Sequence, residues 1–174
     1  MVGQKDKIMN IDKIMKSADV IRFHSSVGMS KQDIANHSWG VAMLVQYFNP
    51  NCSKNLLLKA LTHDCAELEI GDIPANVKWA NKSIKEATDL LEEQLEDEWG
   101  INYDITEEEA KLLKICDSLE GMIFCLKRIK MGEYGASLPF KAWGNFIGSN
   151  LELTELQSNL FENLLIEGSK YGSK

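Results

Sequence analysis

Apolar residues recur at spacings of three and four along almost the whole chain, and no run alternates apolar with polar or carries an Asn-Gly hairpin signal. Such periodicity commits the chain to an all-α fold. Its 174 residues, 44% of them hydrophobic, supply one ordinary core without disulfide staples.

Ile8, Ile11, Met15, Ala18 and Ile21 predict a first helix from about Lys7 to about Val20, ending near Arg22, Phe23 and His24. A polar loop follows. Ile34, His37, Val41, Leu44, Val45 and Phe48 share one stripe of a second helix, which Pro50 stops, so His37 is expected to face inward. Ser53 suits the N-cap of a third helix carrying Leu57, Ala60, Leu61, His63, Asp64 and Glu67 and ending at Gly71-Asp72-Ile73-Pro74. A charged amphipathic helix is expected from about Asn76 to Trp99, with Gly100 at its end. Thr106 and Glu109 have capping-box spacing and open a helix through Cys116, Leu119, Ile123 and Leu126 to about Lys130, with Asp117 in its middle. The Gly-dotted stretch from Met131 to Gly148 reads as looser, and Leu151 to Ile166 as a closing helix before a frayed tail. With no repeat and no linker, residues 1–174 are expected to form a single domain.

Charge excludes several functions. A net charge of −7 leaves no broad basic surface for nucleic acid or acidic lipid. No apolar run approaches the roughly 20 residues of a membrane span, and the N-terminus lacks a secretory core, so a cytoplasmic protein is expected. Cys52, Cys65, Cys116 and Cys125 form no CxxC pair and read as buried thiols. Trp39, Trp79, Trp99 and Trp143 read as packing residues.

Chemistry concentrates in the apolar run that holds His63-Asp64. A His-Asp step arises by chance in roughly one chain in six of this composition, so its surroundings carry the argument. Ionisable groups inside an apolar helix are costly unless paired or bound to metal. Glu67 projects to the same side as this doublet, and His37 and Asp117 take inward positions on two other expected helices. Two imidazoles and two carboxylates form a mixed nitrogen and oxygen donor set that suits Mn²⁺, Fe²⁺, Co²⁺ or Zn²⁺. Taken singly, His37 reads as a core or interface histidine, Asp117 as the partner of a neighbouring Lys or Arg, Glu67 as a surface helix residue and Asp72 as a turn former.

The ordered set Arg22-Phe23, His37-Ser38, His63-Asp64-Cys65-Ala66-Glu67, Gly71-Asp72-Ile73-Pro74, Val77-Lys78 and Lys114-x-x-Asp117 resembles the HD-domain nucleotide phosphohydrolases. Within them it is similar to the YfbR-like 5′-deoxynucleotidases and to the phage DatZ-type dATP triphosphohydrolases. The resemblance runs from about residue 22 to about 126. It implies a helical HD bundle with a central site in which His37, His63, Asp64 and Asp117 hold one divalent ion (Co²⁺, Zn²⁺, Mn²⁺ or Mg²⁺). It also implies Glu67 and Asp72 as catalytic acids, and Arg22, Phe23, Lys78 and Lys114 as substrate-binding residues. Phe23 stands where relatives often carry tryptophan.

The implied reaction is hydrolysis of the 5′ phosphoester of a deoxynucleotide. A dATP triphosphohydrolase, giving deoxyadenosine and triphosphate, is the expectation, because the chain is compact and Lys78 and Lys114 offer charge beyond one phosphate. The alternatives are a 5′-deoxynucleotidase acting on monophosphates and a non-catalytic helical module that binds metal or nucleotide. Relatives also imply a homo-oligomer, a dimer or a hexamer, and a host-cytoplasm location if the gene is a phage's.

Overall fold

The computed structural model describes residues 8–171. As expected, helices dominate them: α1 Ile11–Ser17, α2 Ile34–Phe48, α3 Lys54–Thr62, α4 Glu67–Ile70, α5 Ala75–Ala80, α6 Lys82–Glu98, α7 Glu107–Lys130, α8 Ser137–Asn150 and α9 Glu155–Ser169. A small antiparallel ladder, which the periodicity did not signal, joins β1 (Ile21–Arg22) to β2 (Gln32–Asp33), with Arg22 opposite Gln32. None of the described helices is long and apolar enough to cross a membrane.

Local chemistry explains the helix starts. Asp33 accepts the Asn36 N–H at 2.7 Å and Ser53 that of Leu56 at 3.0 Å, each satisfying an orphan donor of the first turn. Thr106 with Glu109 closes the expected capping box on α7. Thr154 with Gln157 forms a second box, so the closing helix begins at Glu155 rather than Leu151 and continues through Ser169.

Helix α7 is the axis of the fold. It packs on α2, α3, α8 and α9, and its buried residues Leu119, Met122, Cys125 and Leu126 form the main core with Phe140, Trp143 and Ile147 of α8. Val41, Val45, Leu56, Ala60 and Cys116 form a second cluster where α2, α3 and α7 meet. Gly121 admits this packing, since a Cβ there would stand 2.9 Å from the Trp143 ring.

Several further expectations are corrected. The third helix does not run through His63-Asp64; it stops at Thr62, and Gly71 ends the separate α4. The charged helix from Asn76 is two helices with a break at Asn81, whose backbone is extended. The supposedly loose stretch after Met131 contains a 3₁₀ turn, Tyr134–Ala136, and all of α8, because buried Phe140, Trp143 and Ile147 anchor a helix that glycine content alone disfavours. Finally, Trp39 is 64% exposed, and so are the stripe residues Ile11 and Met15 of α1, whose expected start at Lys7 lies outside the described residues.

Candidate metal centre

The break after α3 positions the central histidine. Thr62 Oγ1 bonds the Leu58 carbonyl, and beyond it the chain winds on i to i+3 bonds, Cys65 to Thr62, Glu67 to Asp64 and Leu68 to Cys65. His63 Nδ1 donates to the Ala60 carbonyl at 2.9 Å, the acceptor that an uninterrupted helix would give to the Asp64 N–H. Tightened in this way, the segment turns two adjacent side chains toward one point. His63 Nε2 lies 3.4 Å from Asp64 Oδ1.

His37 comes up from α2, fully buried. Its Nδ1 bonds Glu120 Oε2 at 2.5 Å, and its Nε2 faces His63 Nε2 at 3.3 Å, Asp117 Oδ1 at 3.3 Å and Asp64 Oδ2 at 3.4 Å. A carbonyl or carboxylate acceptor at Nδ1 requires the N–H there, so the neutral tautomer of each ring leaves Nε2 bare. In that form the two Nε2 atoms face each other across 3.3 Å with bare lone pairs, each flanked by a carboxylate. Such lone pairs repel unless a cation lies between them, and this outer-shell orientation is how proteins prepare histidine ligands.

His37, His63 and Asp117 offer ligand atoms within 4.8 Å of one another. Asp64 stands beside them, one oxygen toward each imidazole. These donors fit a divalent transition ion.

Charged groups crowd the centre. Arg22, on β1 and buried, lies 3.8 Å from Asp64, 3.8 Å from Asp117 and 4.0 Å from Glu120, yet its Nη1 makes no hydrogen bond. Burial pushes the Asp117 carboxyl up, but Lys114 at 2.9 Å and His37 outweigh it and hold the group well below the usual carboxylate range. Asp64 is likewise held low by His63, Arg22 and His37 against its burial. Glu67 behaves oppositely. Burial, then Asp64 and Asp72, push it up to about 9, and its Oε2 has no hydrogen-bond partner.

A cavity of about 1270 Å³ opens onto this cluster. Arg22, Phe23, His63, Asp64, Glu67, Asp72, Lys78, Lys114 and Asp117 all line it, with His37 behind them. The ten residues singled out in the sequence therefore meet at one place. Phe23 has a left-handed backbone (φ 58°) and stacks on Phe124 at 5.3 Å. Lys78, on α5, bonds Glu92 of α6 at 3.0 Å. Trp79 and Trp143 pack as expected, Trp79 stacking on Phe146 at 4.4 Å, but both also border the cavity.

Sequence reasoning missed two members. Glu120 sits one turn after Asp117 as a carboxylate on an otherwise apolar stripe, and that mismatch was the available signal. Gly40 makes room for it, because a Cβ there would approach Glu120 Cγ to 2.7 Å. His24, whose Nδ1 is 3.3 Å from Asp72 Oδ2, gave no signal in a polar loop.

Comparison with known proteins agrees with this geometry. The profile of the 5′-deoxynucleotidase YfbR-like family matches residues 10–159. A 5′-deoxynucleotidase of Enterobacter sp. (strain 638) is 28% identical over 125 residues, covering 58% of this chain and 63% of that protein. One of Vibrio vulnificus (strain YJ016) is 24% identical over 137 residues, covering 65% and 71%. Among solved structures, the cyanophage S-2L HD phosphohydrolase DatZ, bound to dA and one catalytic Zn²⁺ ion, superposes with a TM-score of 0.65 at 20% identity, covering 94% of this chain and 99% of that one. The PH0347 protein of Pyrococcus horikoshii OT3 gives 0.67 at 19%, covering 91% and 98%. At these identities the two structures establish a shared fold.

Proposed function

The chain belongs to the YfbR-like 5′-deoxynucleotidase family, and on that premise we propose that it is a metal-dependent phosphohydrolase cleaving the 5′ phosphoester of deoxynucleotides. The observation that carries this reading is the pair of imidazole Nε2 atoms facing each other at 3.3 Å among carboxylates, beside a cavity of about 1270 Å³. His37, His63, Asp64 and Asp117 are the residues that would hold the ion. A divalent cation there supplies Lewis-acid charge for a phosphate oxygen and makes water more acidic.

The chain's own groups do the rest. Arg22 offers a buried guanidinium whose Nη1 lacks a hydrogen-bond partner, suited to grip phosphoryl oxygens, and Lys114 adds a mobile charge beside Asp117. Glu67, buried beside the centre and pushed up to about 9 by that burial and by Asp64 and Asp72, is the acid that gives a proton to the 5′ oxygen as the P–O bond breaks. Asp72, steadied by His24, takes a proton from the attacking water as the new P–O bond forms. Phe23 and the aromatic side of the cavity receive the nucleoside.

Two phosphorylation levels are supported by different observations. The family profile and its curated relatives favour a monophosphate. A cavity of about 1270 Å³ exceeds the range usual for small ligands and leaves volume for the dATP expected from the sequence. The same proposal takes residues 1–174 as one HD domain of a cytoplasmic homo-oligomer that acts on free nucleotides rather than nucleic acid. Incubating the protein with dAMP and dATP separately, each with Co²⁺ or Mn²⁺, and resolving the products tests it. Deoxyadenosine with phosphate, or with triphosphate, is the expected result; no product from either overturns the phosphohydrolase reading.

A further inference from the structure

One wall of the cavity has no task in the reaction as proposed. Its lysines come from three helices, Lys59 of α3, Lys78 of α5 and Lys85 of α6, and each is already paired. Lys78 Nζ donates to Glu92 Oε1 at 3.0 Å, Lys59 pairs with Glu96 and Lys85 with Asp89. Both Glu92 and Asp89 border the cavity themselves. A cation in contact with a carboxylate presents little net field to another anion, and an incoming phosphate meets the carboxylate as well. The Lys78–Glu92 pair is the one that matters most. Its side chains are only 22% and 23% exposed, so salt screens it weakly. Lys78 and Glu92 line the same cavity as Glu67 and Asp64, the reacting end of the site.

The α8 side of the cavity is unfavourable to a polyphosphate for another reason. Trp143 and Phe146 of α8 are apolar, and anionic oxygens placed against them would lose hydration without compensation. For a phosphate seated at Arg22 and Lys114, the wall of Lys59, Lys78 and Lys85 is the cationic one among the described residues that line the cavity.

We propose that Glu92 is a specificity-determining residue: by holding Lys78, it rejects the β and γ phosphates and restricts the site to a single phosphate. This inference rests on the phosphohydrolase reading above. A β phosphate must either lie against the Glu92 carboxylate or displace it from Lys78. A monophosphate needs neither. Discrimination of this kind works by a built-in repulsion rather than by an added attraction.

The test compares wild type with Glu92→Gln, which keeps the side-chain shape and removes the charge. Turnover of dAMP and dATP with Mn²⁺ is measured, together with the Kd of each nucleotide by calorimetry on chelator-treated protein, where nothing is consumed. The inference expects wild type to favour dAMP in both readouts, and Glu92→Gln to move both dATP:dAMP ratios toward dATP by about tenfold or more. Ratios that stay put in the variant, or a wild type that prefers dATP, overturn it. Absence of turnover by wild type overturns the phosphohydrolase reading instead, and the Kd ratios still judge Glu92. Glu96→Gln, which alters the neighbouring pair with Lys59, separates a general charge effect: an equal shift there removes the special place given to Glu92.

Discussion

Glu120 Oε2 lies 2.5 Å from Nδ1 of His37, and this bond fixes which nitrogen of a fully buried imidazole faces the centre. Glu120 is anchored in turn by Gln32, whose amide donates to Oε1 at 2.7 Å. Replacing Glu120 with Gln weakens the hold on tautomer and ring orientation while leaving every candidate ligand in place. Metal affinity is expected to fall about 10–100-fold. Titration of chelated wild type and variant with Co²⁺ or Zn²⁺ checks this; equal affinities would remove Glu120 from the site. Gly40→Ala should act in the same direction, because its Cβ meets the Glu120 side chain.

Glu67 gives the centre a distinct pH signature. Its carboxyl is pushed up to about 9 by burial and by Asp64 and Asp72, against about 4.3 in an unfolded chain. Between those values the folded protein binds the extra proton, so the stability this group contributes is full below about 4.3 and is lost as pH rises toward about 9. The melting temperature of chelated wild type should therefore decline across that interval, and Glu67→Gln should flatten the decline. Identical slopes would mean that Glu67 is ionised in the fold. On the reaction, the same substitution should lower turnover about 10²–10⁴-fold. Asp64 and Asp117 work in the other window, since their lowered pKa values stabilise the fold above the normal carboxylate range and that stability is lost as pH falls.

The cysteines separate by accessibility. Cys65, Cys116 and Cys125 are buried, and burial pushes Cys116 and Cys125 up to about 12, with Asp117 and Glu120 adding to the effect. Thiolate is the reactive form, so a thiol reagent at pH 8 should modify at most Cys52 in the native protein and all four after denaturation. Rapid labelling of Cys116 in native protein would show that the α2, α3 and α7 core is open.

What could be read from the sequence followed from strong local rules. The spacing on α2 and α7, with the cap at Thr106, placed His37 and Asp117 inward, where the structure has them, and Ser53 marked the start of α3. The break at His63-Asp64 was not legible, since helical periodicity continues through it and only the His63 bond to a backbone carbonyl reveals why the helix stops. Helix α8 was hidden by its glycines, because long-range burial against α7 rather than propensity forms it. Glu120 is one charge on an apolar face, and its spacing alone does not tie it to His37 of α2. The pairing of Lys78 with Glu92 joins two helices across a break at Asn81 that the pattern did not announce.

The most direct test counts metal and product together. Wild type and His63→Ala are each loaded with Mn²⁺ or Co²⁺, freed of excess ion, assayed for metal per chain, and then given dAMP and dATP. The account predicts about one ion per wild-type chain with nucleoside released, and loss of both in a variant that keeps its helical circular dichroism. Full hydrolysis by exhaustively chelated wild type, or by metal-free His63→Ala, would contradict it.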